Sequence, residues 1–485
     1  MLSRCLRLRT ILRFALSIVF AAMIISAAYA QPPPTLLWSD PVSTLDIAVS
    51  GNGQYVAVIA PTSGGQVRFY GRSSPTPLWT DAIPGVRSVA ISADGNHVAV
   101  GGSGFVYFWA NAKSLTGNAN PPTWTSESLA SLLILRRCIA ISDDGNYVAA
   151  CGNLNLGASV FYWAGAAGKS GSNVATTWDY LFPSEVLSIV TAMAISDDGN
   201  HVAAVGFLSN VGTEGVVAYL NNARSLLGHA QQPTWSGQES GELFVDVAMS
   251  DDGNYVAVAG AGAVLSTVYY WAGATSRTGT SEPHTWAGGV NVRFTSVDMS
   301  CDGDSVIAGT GFLITDAGAG GLVTAGAAAP PTGGVYFWSG ARSLTGNPSP
   351  SWVKSTGASV GDVAINDAGT YMAAVDLSIP DTVYFFDRQG NLLWQDTTIS
   401  GDKLSISCDG GTLAVGAPSS SPVTAHLFDT GFSTPCCGVE PVGGVLTSRN
   451  TQFILAPYVA ALGFAAATIV AIAAFVKRRE KGRPA

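Results

Sequence analysis

A phrase of 12 residues recurs eight times in this 485-residue chain, and it constrains the possible fold more than any other feature. The clearest copies read VAISADGNHVAV, IAISDDGNYVAA and VAMSDDGNYVAV. Repeats spaced by roughly 40 to 65 residues are typical of a propeller or an array, in which each repeat is one supersecondary unit. The eight copies occupy residues 47–58, 89–100, 139–150, 193–204, 247–258, 297–308, 363–374 and 404–415.

Each copy predicts a β-hairpin. Small and β-branched apolar residues flank a Ser-x-Asp-Gly turn, in which glycine supplies the positive φ that other residues rarely adopt. The serine and aspartate side chains are expected to bond the free backbone amides of the turn. His97 and His201 stand where Tyr55 and Tyr147 stand in other copies, so we interpret them as repeat positions rather than ligands. The turn glycines are Gly53, Gly95, Gly145, Gly199, Gly253, Gly303, Gly369 and Gly410.

Two further strands follow each hairpin. A third-strand phrase such as VYFW precedes a segment centred on tryptophan, such as PTWT, and only the eighth repeat lacks this tryptophan strand. The segment TLLWSD at 35–40 supplies the missing strand if the N-terminus closes the ring. The predicted fold class is therefore all-β, an eight-bladed β-propeller closed by an N-terminal strand, with a seven-bladed ring as the alternative. The blade tryptophans are Trp38, Trp79, Trp124, Trp178, Trp235, Trp286, Trp352 and Trp394.

Over residues 35–430 the repeats resemble those of WD-repeat-like and quinoprotein-like propellers. The best single match is VYFFDRQGNLLWQDTT at 383–398. It is similar to the tryptophan-docking motif of pyrroloquinoline-quinone (PQQ)-type repeats, with Asp387, Gly390 and Trp394 in the motif's places. Blades two to six depart from that motif, because a longer, self-similar loop such as ANAKSLTGNANPPTW joins their third and fourth strands. The resemblance is specific for a propeller and weak for any activity.

The resemblance implies one enzymatic alternative, an extracytoplasmic quinoprotein-type oxidoreductase that uses pyrroloquinoline quinone. Such enzymes hold a calcium ion beside the quinone and need an aspartate base, whereas most acids here are accounted for by turns. The adjacent Cys436 and Cys437 are similar to the vicinal disulfide near the cofactor in some quinoproteins, but a linker pair or a disulfide staple is the preferred interpretation. We therefore predict no catalytic residue, no cofactor and no metal site, and we favour a protein that is not an enzyme.

The two ends predict an extracytoplasmic protein with a membrane anchor. Residues 1–30 have the basic start, apolar centre and Ala-Tyr-Ala end of a signal peptide, with an uncleaved anchor helix as the alternative. Residues 453–476 carry no charge and are long enough to cross a bilayer as a helix. The predicted domains are a signal peptide (1–30), a propeller ectodomain (31–430), a juxtamembrane linker (431–452), one transmembrane helix (453–476) and a basic tail (477–485).

The basic tail sets the predicted location. Lysine and arginine directly after an apolar span remain in the cytoplasm by the positive-inside rule, so the propeller is predicted to lie outside the cell membrane as a single-pass protein. The segment LAPYVAALG, followed by KRR after the apolar stretch, is similar to membrane anchors on archaeal surface proteins. An archaeal-type surface protein is therefore expected.

Disulfides are permitted in such a location, and six cysteines remain beyond the signal peptide. Cys138 and Cys151 would lie opposite each other if the third hairpin centres on its Asp-Gly turn, so they form a candidate disulfide. Cys301 and Cys408 occupy equivalent turn positions and are candidates for free thiols. Connectivity does not follow from the sequence alone.

Composition narrows the function further. A net charge of −9 argues against a nucleic-acid partner, and a mean hydropathy of +0.29 excludes a disordered chain. We predict a cell-surface binding or scaffold module for a protein or glycan partner. The candidate face is formed by the loops between blades and between second and third strands, of which 311–334 is the largest. The residues predicted for this face are Arg136, Arg137, Tyr180, Phe182 and Asp316.

Overall fold

A computed structural model describes residues 33–129, 137–154, 157–182, 188–208, 214–262, 267–289, 292–311, 333–417 and 424–437. Within these ranges the chain forms eight antiparallel sheets of four main strands each, which are the blades of a propeller. The predicted signal peptide, transmembrane helix and basic tail lie outside the described residues. No helix within the described ranges is long and apolar enough to cross a membrane.

The strands follow one another around the ring in chain order. The first eighteen are β1 (Thr35–Asp40), β2 (Asp46–Val49), β3 (Tyr55–Ala60), β4 (Gln66–Gly71), β5 (Trp79–Ala82), β6 (Ser88–Ile91), β7 (His97–Gly102), β8 (Phe105–Ala110), β9 (Gly117–Asn118), β10 (Trp124–Ser126), β11 (Ile139–Ile141), β12 (Tyr147–Leu154), β13 (Gly157–Ala164), β14 (Gly171–Val174), β15 (Trp178–Leu181), β16 (Ser188–Ile195), β17 (His201–Leu208) and β18 (Glu214–Asn221). The others are β19 (Trp235–Ser240), β20 (Phe244–Met249), β21 (Tyr255–Gly260), β22 (Val268–Ala272), β23 (Trp286–Gly288), β24 (Phe294–Met299), β25 (Ser305–Thr310), β26 (Gly334–Ser339), β27 (Trp352–Ser355), β28 (Val360–Ile365), β29 (Tyr371–Asp376), β30 (Thr382–Asp387), β31 (Leu392–Asp396), β32 (Lys403–Ile406), β33 (Thr412–Gly416) and β34 (Ala425–Asp429).

Blades 1 to 7 each take four strands in order: β2–β5, β6–β8 with β10, β11–β13 with β15, β16–β19, β20–β23, β24–β27 and β28–β31. The short strands β9 and β14 each add a fifth strand to the blade that precedes them. One-turn 3-10 helices follow the third strand in blades 2 to 6, and another precedes β4. These helices are Thr62–Gly64, Ala112–Ser114, Ala166–Gly168, Ala223–Ser225, Ala274–Ser276 and Ala341–Ser343.

Blade 8 is closed by the N-terminal strand. β1 pairs antiparallel with β34, with Thr35 opposite Asp429 and Asp40 opposite Ala425. The Asp40 carboxylate then accepts hydrogen bonds from blade 1, from Arg68 Nη1 at 2.9 Å and from the Tyr70 hydroxyl at 2.6 Å. The predicted eight-bladed ring is therefore confirmed, and the seven-bladed alternative is wrong.

The second strand of each blade is buried because it has a neighbouring blade on each face. In β3 every residue from Val56 to Ala60 has no exposed surface, and β12, β21 and β29 are buried in the same way. Small and β-branched residues fill these positions, since two sheets about 10 Å apart leave room for little more. This packing accounts for the low content of charged residues in the sequence.

Fourth-strand tryptophans of blades 1 to 6 each bond to the next blade. The indole Nε1 of Trp79 donates to the carbonyl of Ala112 at 2.8 Å, and Trp124, Trp178, Trp235 and Trp286 repeat this bond to the equivalent alanine. All five have no exposed surface. In blade 6, Trp352 donates instead to the Arg388 carbonyl at 3.1 Å, beside Gly390 of the tryptophan-docking motif.

Candidate functional site

Seven of the eight hairpin turns share one side-chain hydrogen-bond pattern, and in the turn of blade 7 Asn366 accepts the backbone amides instead. In the second copy Asp94 accepts from the Ser92 hydroxyl at 2.9 Å and from the Asn96 amide at 2.8 Å. Gly95 has φ +75°, and a Cβ there would lie 2.3 Å from the Tyr55 ring of the preceding blade. The φ of all eight turn glycines lies between +62° and +78°. The glycines are therefore needed both for the turn and for the contact between blades.

The same turns are joined into a closed ring. In blades 2 to 8 the residue after the turn serine, or after its asparagine equivalent, donates its backbone amide to the carbonyl of the equivalent residue in the next blade. In blade 1 the donor is Asn52, two residues after the serine. The eight donor–acceptor distances are 2.9 to 3.1 Å. We call these residues the turn ring and the end of the propeller that they form the turn face. The turn ring consists of Gly51, Ala93, Asp143, Asp197, Asp251, Cys301, Asp367 and Cys408.

Four carboxyl groups therefore meet around one axis. Burial raises the pKa of Asp367 to about 7, and the charges of Asp251 and Asp143 add to the effect. Burial likewise raises the pKa of Asp143, Asp197 and Asp251. Repulsion from Asp251 adds to the effect on Asp143 and Asp197, and Asp197 shares side-chain hydrogen bonds with the other two. Buried carboxyl groups that repel one another cannot all ionise together, so the ring retains protons at neutral pH.

The C-terminal end of the described chain is covalently attached to this ring. Cys437 is bonded to Cys301 of blade 6, and Cys436 is bonded to Cys408 of blade 8, with Cα–Cα distances of 6.2 and 5.2 Å. One expectation is thereby corrected, because Cys301 and Cys408 are not free thiols. The adjacent cysteines form two staples, as the preferred interpretation expected, and not the vicinal disulfide found in some quinoproteins.

Side-chain contacts also hold this end in place. Asn366 donates to the Thr434 hydroxyl at 2.8 Å, and the Phe432 ring lies 5.0 Å from Tyr371. The amide of Thr434 donates to the carbonyl of Asp409 at 2.8 Å. The first residues of the predicted linker, 431–437, thus pack on blades 7 and 8.

A second charged cluster lies in the central channel. The cavity there has a volume of about 290 Å³ and is lined by first-strand residues that include Asp46, Asp298 and Lys403. Arg137 crosses it from blade 3, with Nη1 2.7 Å from Asp246 of blade 5 and Nη2 bonded to Asp362 of blade 7. Its guanidinium also donates to the Thr295 carbonyl and the Ser296 hydroxyl, both at 3.1 Å.

Charge in this channel is compensated only in part, since four aspartates and two basic residues line the cavity. Burial opposes the positive charge of Arg137, but Asp246 and Asp362 outweigh burial and raise its pKa. Arg137 in turn overcomes the effect of burial on Asp362 and lowers its pKa. Burial raises the pKa of Asp298 to about 7, although its carboxylate accepts the amides of Met299 and Ile365 at 2.9 Å.

A disulfide stands beside the bridging arginine. Cys138 and Cys151 are bonded across the first two strands of blade 3, with a Cα–Cα distance of 4.7 Å. Arg137 directly precedes this bond and has a left-handed φ of +64°, which is unfavourable for a residue with a Cβ. The pairing therefore fixes the backbone at the point from which Arg137 reaches across the channel.

The residues predicted for a binding face are not brought together. Arg137 lies in the channel, and Tyr180 and Phe182 are 4 % and 2 % exposed, with their rings 4.8 Å apart. These two rings therefore pack in the hydrophobic core of blade 3. Arg136, Asp316 and most of the loop 311–334 lie outside the described residues.

Sequence reasoning missed the channel aspartates, although the repeat contains a signal for them. Asp46, Asp246 and Asp362 each stand four residues before the turn serine or its asparagine equivalent. Each carboxylate accepts the amide of the next blade's first strand, such as Val89 at 2.9 Å. Aligning the copies at this position would have separated these inner residues from the turn aspartates.

Comparison with known proteins agrees with this architecture. The family model "WD domain, G-beta repeat" matches residues 80–110, which span β5 to β8. The C-terminal WD40 domain of Sif2 is similar with a TM-score of 0.55 and 12% identity, over 83% of this chain and 99% of that chain. The chain is an eight-bladed β-propeller in which residues 80–110 are similar to a WD repeat.

Two other solved propellers are similar to a comparable degree. Chaetomium thermophilum Sqt1, bound to the N-terminus of the ribosomal protein L10, has a TM-score of 0.54 and 16% identity, over 81% of this chain and 97% of that chain. The Dos1 propeller has a TM-score of 0.56 and 11% identity, over 83% of this chain and 96% of that chain. No curated protein matches the sequence. At these identities the likeness establishes the fold alone.

Proposed function

We propose that this WD-repeat-like propeller is a membrane-anchored module that binds a protein partner outside the cytoplasm. The observation that carries the proposal is that all six cysteines beyond the predicted signal peptide are paired in disulfides. Such bonds persist in oxidising compartments and are rare in the cytosol. The binding role follows from the fold, which serves widely as a protein-interaction scaffold.

Topology in cells tests the proposal. One version of the full-length protein carries an epitope tag before Pro33, and another carries the tag after Ala485. On intact cells, protease should remove the first tag and spare the second until the membrane is permeabilised. Extraction of the protein by alkaline carbonate, or a cleavable C-terminal tag on intact cells, would contradict the anchor.

The disulfides provide an independent check of the compartment. Cells are treated with an alkylating agent before lysis, and peptides are then mapped by mass spectrometry without reduction. We expect peptides that join Cys138 to Cys151, Cys301 to Cys437 and Cys408 to Cys436. Alkylated thiols at these positions would indicate a reducing compartment and would contradict the extracytoplasmic location.

A further inference from the structure

The outer edges of the blades are protected unequally. In blades 1 to 5 a segment of the next blade lies parallel to the fourth strand, and a glycine of this segment pairs with the blade tryptophan. We call these five pieces of the third-to-fourth-strand connections the cover segments. Their glycines are Gly117, Gly171, Gly228, Gly279 and Gly346.

The cover segments satisfy backbone groups that would otherwise face solvent. Gly279 donates to the carbonyl of Thr234 at 3.0 Å, and its own carbonyl accepts the amide of Ser236 at 3.0 Å. Gly117 and Gly228 donate in the same way to the residue before the tryptophan. An open strand edge is a template for pairing with another chain, and these segments remove it in five blades.

Three consecutive blades have no cover among the described residues. β27, β31 and β1 are the last strands of their sheets, and no described segment forms a bridge with their outer sides. The reason is chain length. Blade 7 joins its third and fourth strands through the short turn 388–391, blade 1 does so through 72–78, and blade 8 takes its fourth strand from the N-terminus. We call β27, β31 and β1 the open rim.

The open rim is also where apolar side chains are exposed. Leu36 is 52 % exposed, Leu392 48 %, Val353 45 % and Leu37 38 %. These are four of the eight large apolar residues exposed in the described chain, although the open rim contains only three of its strands. The tryptophans of β27 and β31 are only partly buried, whereas the five covered ones have no exposed surface.

We propose that the open rim binds an extended segment of a partner protein, which adds a parallel strand to blade 6, 7 or 8. The cover segments define its chemistry: in blades 2 and 6 they read Leu-Thr-Gly-Asn, at 115–118 and 344–347. We assign the added segment to another protein, because each of the five cover segments in the described residues already lies on a blade of its own chain.

A second copy of this chain does not fit the site. A two-fold axis would bring identical outer strands together in the antiparallel direction, whereas the cover segments pair in the parallel direction. Strand addition to an exposed edge is a common mode of peptide recognition, with affinity from main-chain hydrogen bonds and specificity from alternate side chains. This inference names the binding site for the proposed function, and it rests on that proposal for the protein nature of the partner.

A defined peptide tests the proposal. The probe is a fluorescent peptide with the sequence of residues 341–350, ARSLTGNPSP, titrated into the full-length protein in detergent and followed by anisotropy. We expect saturable binding that weakens at least tenfold in the triple variant Leu36→Lys, Val353→Lys, Leu392→Lys, because lysine on an edge strand opposes pairing. A peptide with proline in place of its glycine lacks the amide donor and should not bind.

Matched controls make the result specific. The triple variant Leu181→Lys, Leu227→Lys, Ile379→Lys changes apolar residues with comparable or greater exposure outside the open rim and should bind as the parent does. Absence of saturable binding, or equal weakening in both triple variants, would overturn the proposal. Dimers in sedimentation velocity that only the open-rim variant abolishes would overturn it in favour of a second copy. Peptide binding is measured without a membrane, so its failure is distinguishable from failure of the anchor.

Discussion

At the scale of single residues, one turn position has taken on three different roles. The residue after the turn serine makes the same backbone bond in most blades, but its side chain is glycine or alanine in blades 1 and 2, aspartate in four blades and a disulfide-bonded cysteine in two. The backbone ring needs only the amide and the carbonyl. The side chain is therefore free to form an acidic cluster and to attach the C-terminal segment.

The acidic part of the turn ring predicts an unusual dependence of stability on pH. The pKa of Asp367 is raised to about 7 and that of Asp197 is raised by burial and by Asp143, whereas an unfolded aspartate titrates near 3.9. Between these values the folded protein binds more protons than the unfolded one. Stability from these groups is therefore present at low pH and is lost as the pH rises from about 4 to 8.

Asp197→Asn should reduce this dependence. Asparagine cannot ionise, so we expect the free energy of unfolding at pH 8 to rise by about 1 kcal/mol relative to the parent. At about pH 3, where Asp197 is mostly protonated in both the folded and the unfolded state, the two proteins should differ little. Urea unfolding at both pH values measures the effect, and an unchanged difference between parent and variant across this range would contradict it.

Arg137 makes a second prediction at this scale. Replacing it by methionine leaves Asp246 and Asp362, with side chains only 8% and 10% exposed, without their positive partner. Breaking such a pair costs about 3 kcal/mol, and we expect a loss of this size in thermal and urea unfolding. Lys113→Met removes a surface pair with Asp94 and should cost less than about 1 kcal/mol. Equal effects of the two changes would indicate that the channel network adds no stability.

The residue scale is also where sequence analysis was weakest. The turn glycines could be predicted because their conformation is a local property of a hairpin. The role of Arg137 could not be predicted, because its partners Asp246 and Asp362 are 109 and 225 residues away in the chain and meet it only when the ring closes. Tyr180 and Phe182 were misplaced for the same reason, since a loop position does not reveal whether an aromatic ring turns toward the core.

At the scale of the strand and the loop, the self-similar connections acquire a structural role. They were recognisable in sequence as departures from the tryptophan-docking motif, but their function was not. In the structure each connection supplies an alanine carbonyl that accepts the indole hydrogen bond of the preceding blade's tryptophan. It also supplies the cover segment that pairs with the outer strand of that blade. A pairing between neighbouring blades depends on their spacing in the ring, which no single repeat encodes.

The tryptophan lock predicts a graded series of substitutions. Trp178→Phe keeps an aromatic ring against Tyr162 but removes the indole donor to the buried Ala223 carbonyl, for which no other donor is described. We expect a loss of about 2 kcal/mol, since an unsatisfied buried group costs its full desolvation. Trp394→Phe is the matched control: that ring is partly buried against Phe428, and no indole bond to another blade is described for it. Its cost should be below about 1 kcal/mol by urea unfolding, and the reverse order would contradict the lock.

At the scale of the whole molecule, the ring is closed twice. The N-terminal strand joins β34 by hydrogen bonds, and the two C-terminal disulfides link blade 6 to blade 8 through adjacent cysteines. The count of tryptophan strands predicted the first closure, because seven complete repeats and one incomplete repeat left a single strand unassigned. The second could not be predicted, since cysteine positions do not determine connectivity.

The first closure predicts that the N-terminal strand acts as a separable part of blade 8. Deleting residues 33–40 removes the buried Trp38, its stack on Tyr70 at 5.0 Å and the Asp40 bonds to blade 1. We expect the free energy of unfolding to fall by at least about 4 kcal/mol, as for loss of a large buried aromatic side chain.

Rescue by a peptide distinguishes a missing strand from a general defect. A synthetic peptide of residues 33–42, present during refolding of the truncated protein, should restore most of the melting temperature by pairing with β34. The same peptide with Trp38→Ala should restore little, because the core of blade 8 then lacks its largest side chain. If the truncated protein melted like the parent, or if both peptides restored it equally, the strand would not be what closes the ring.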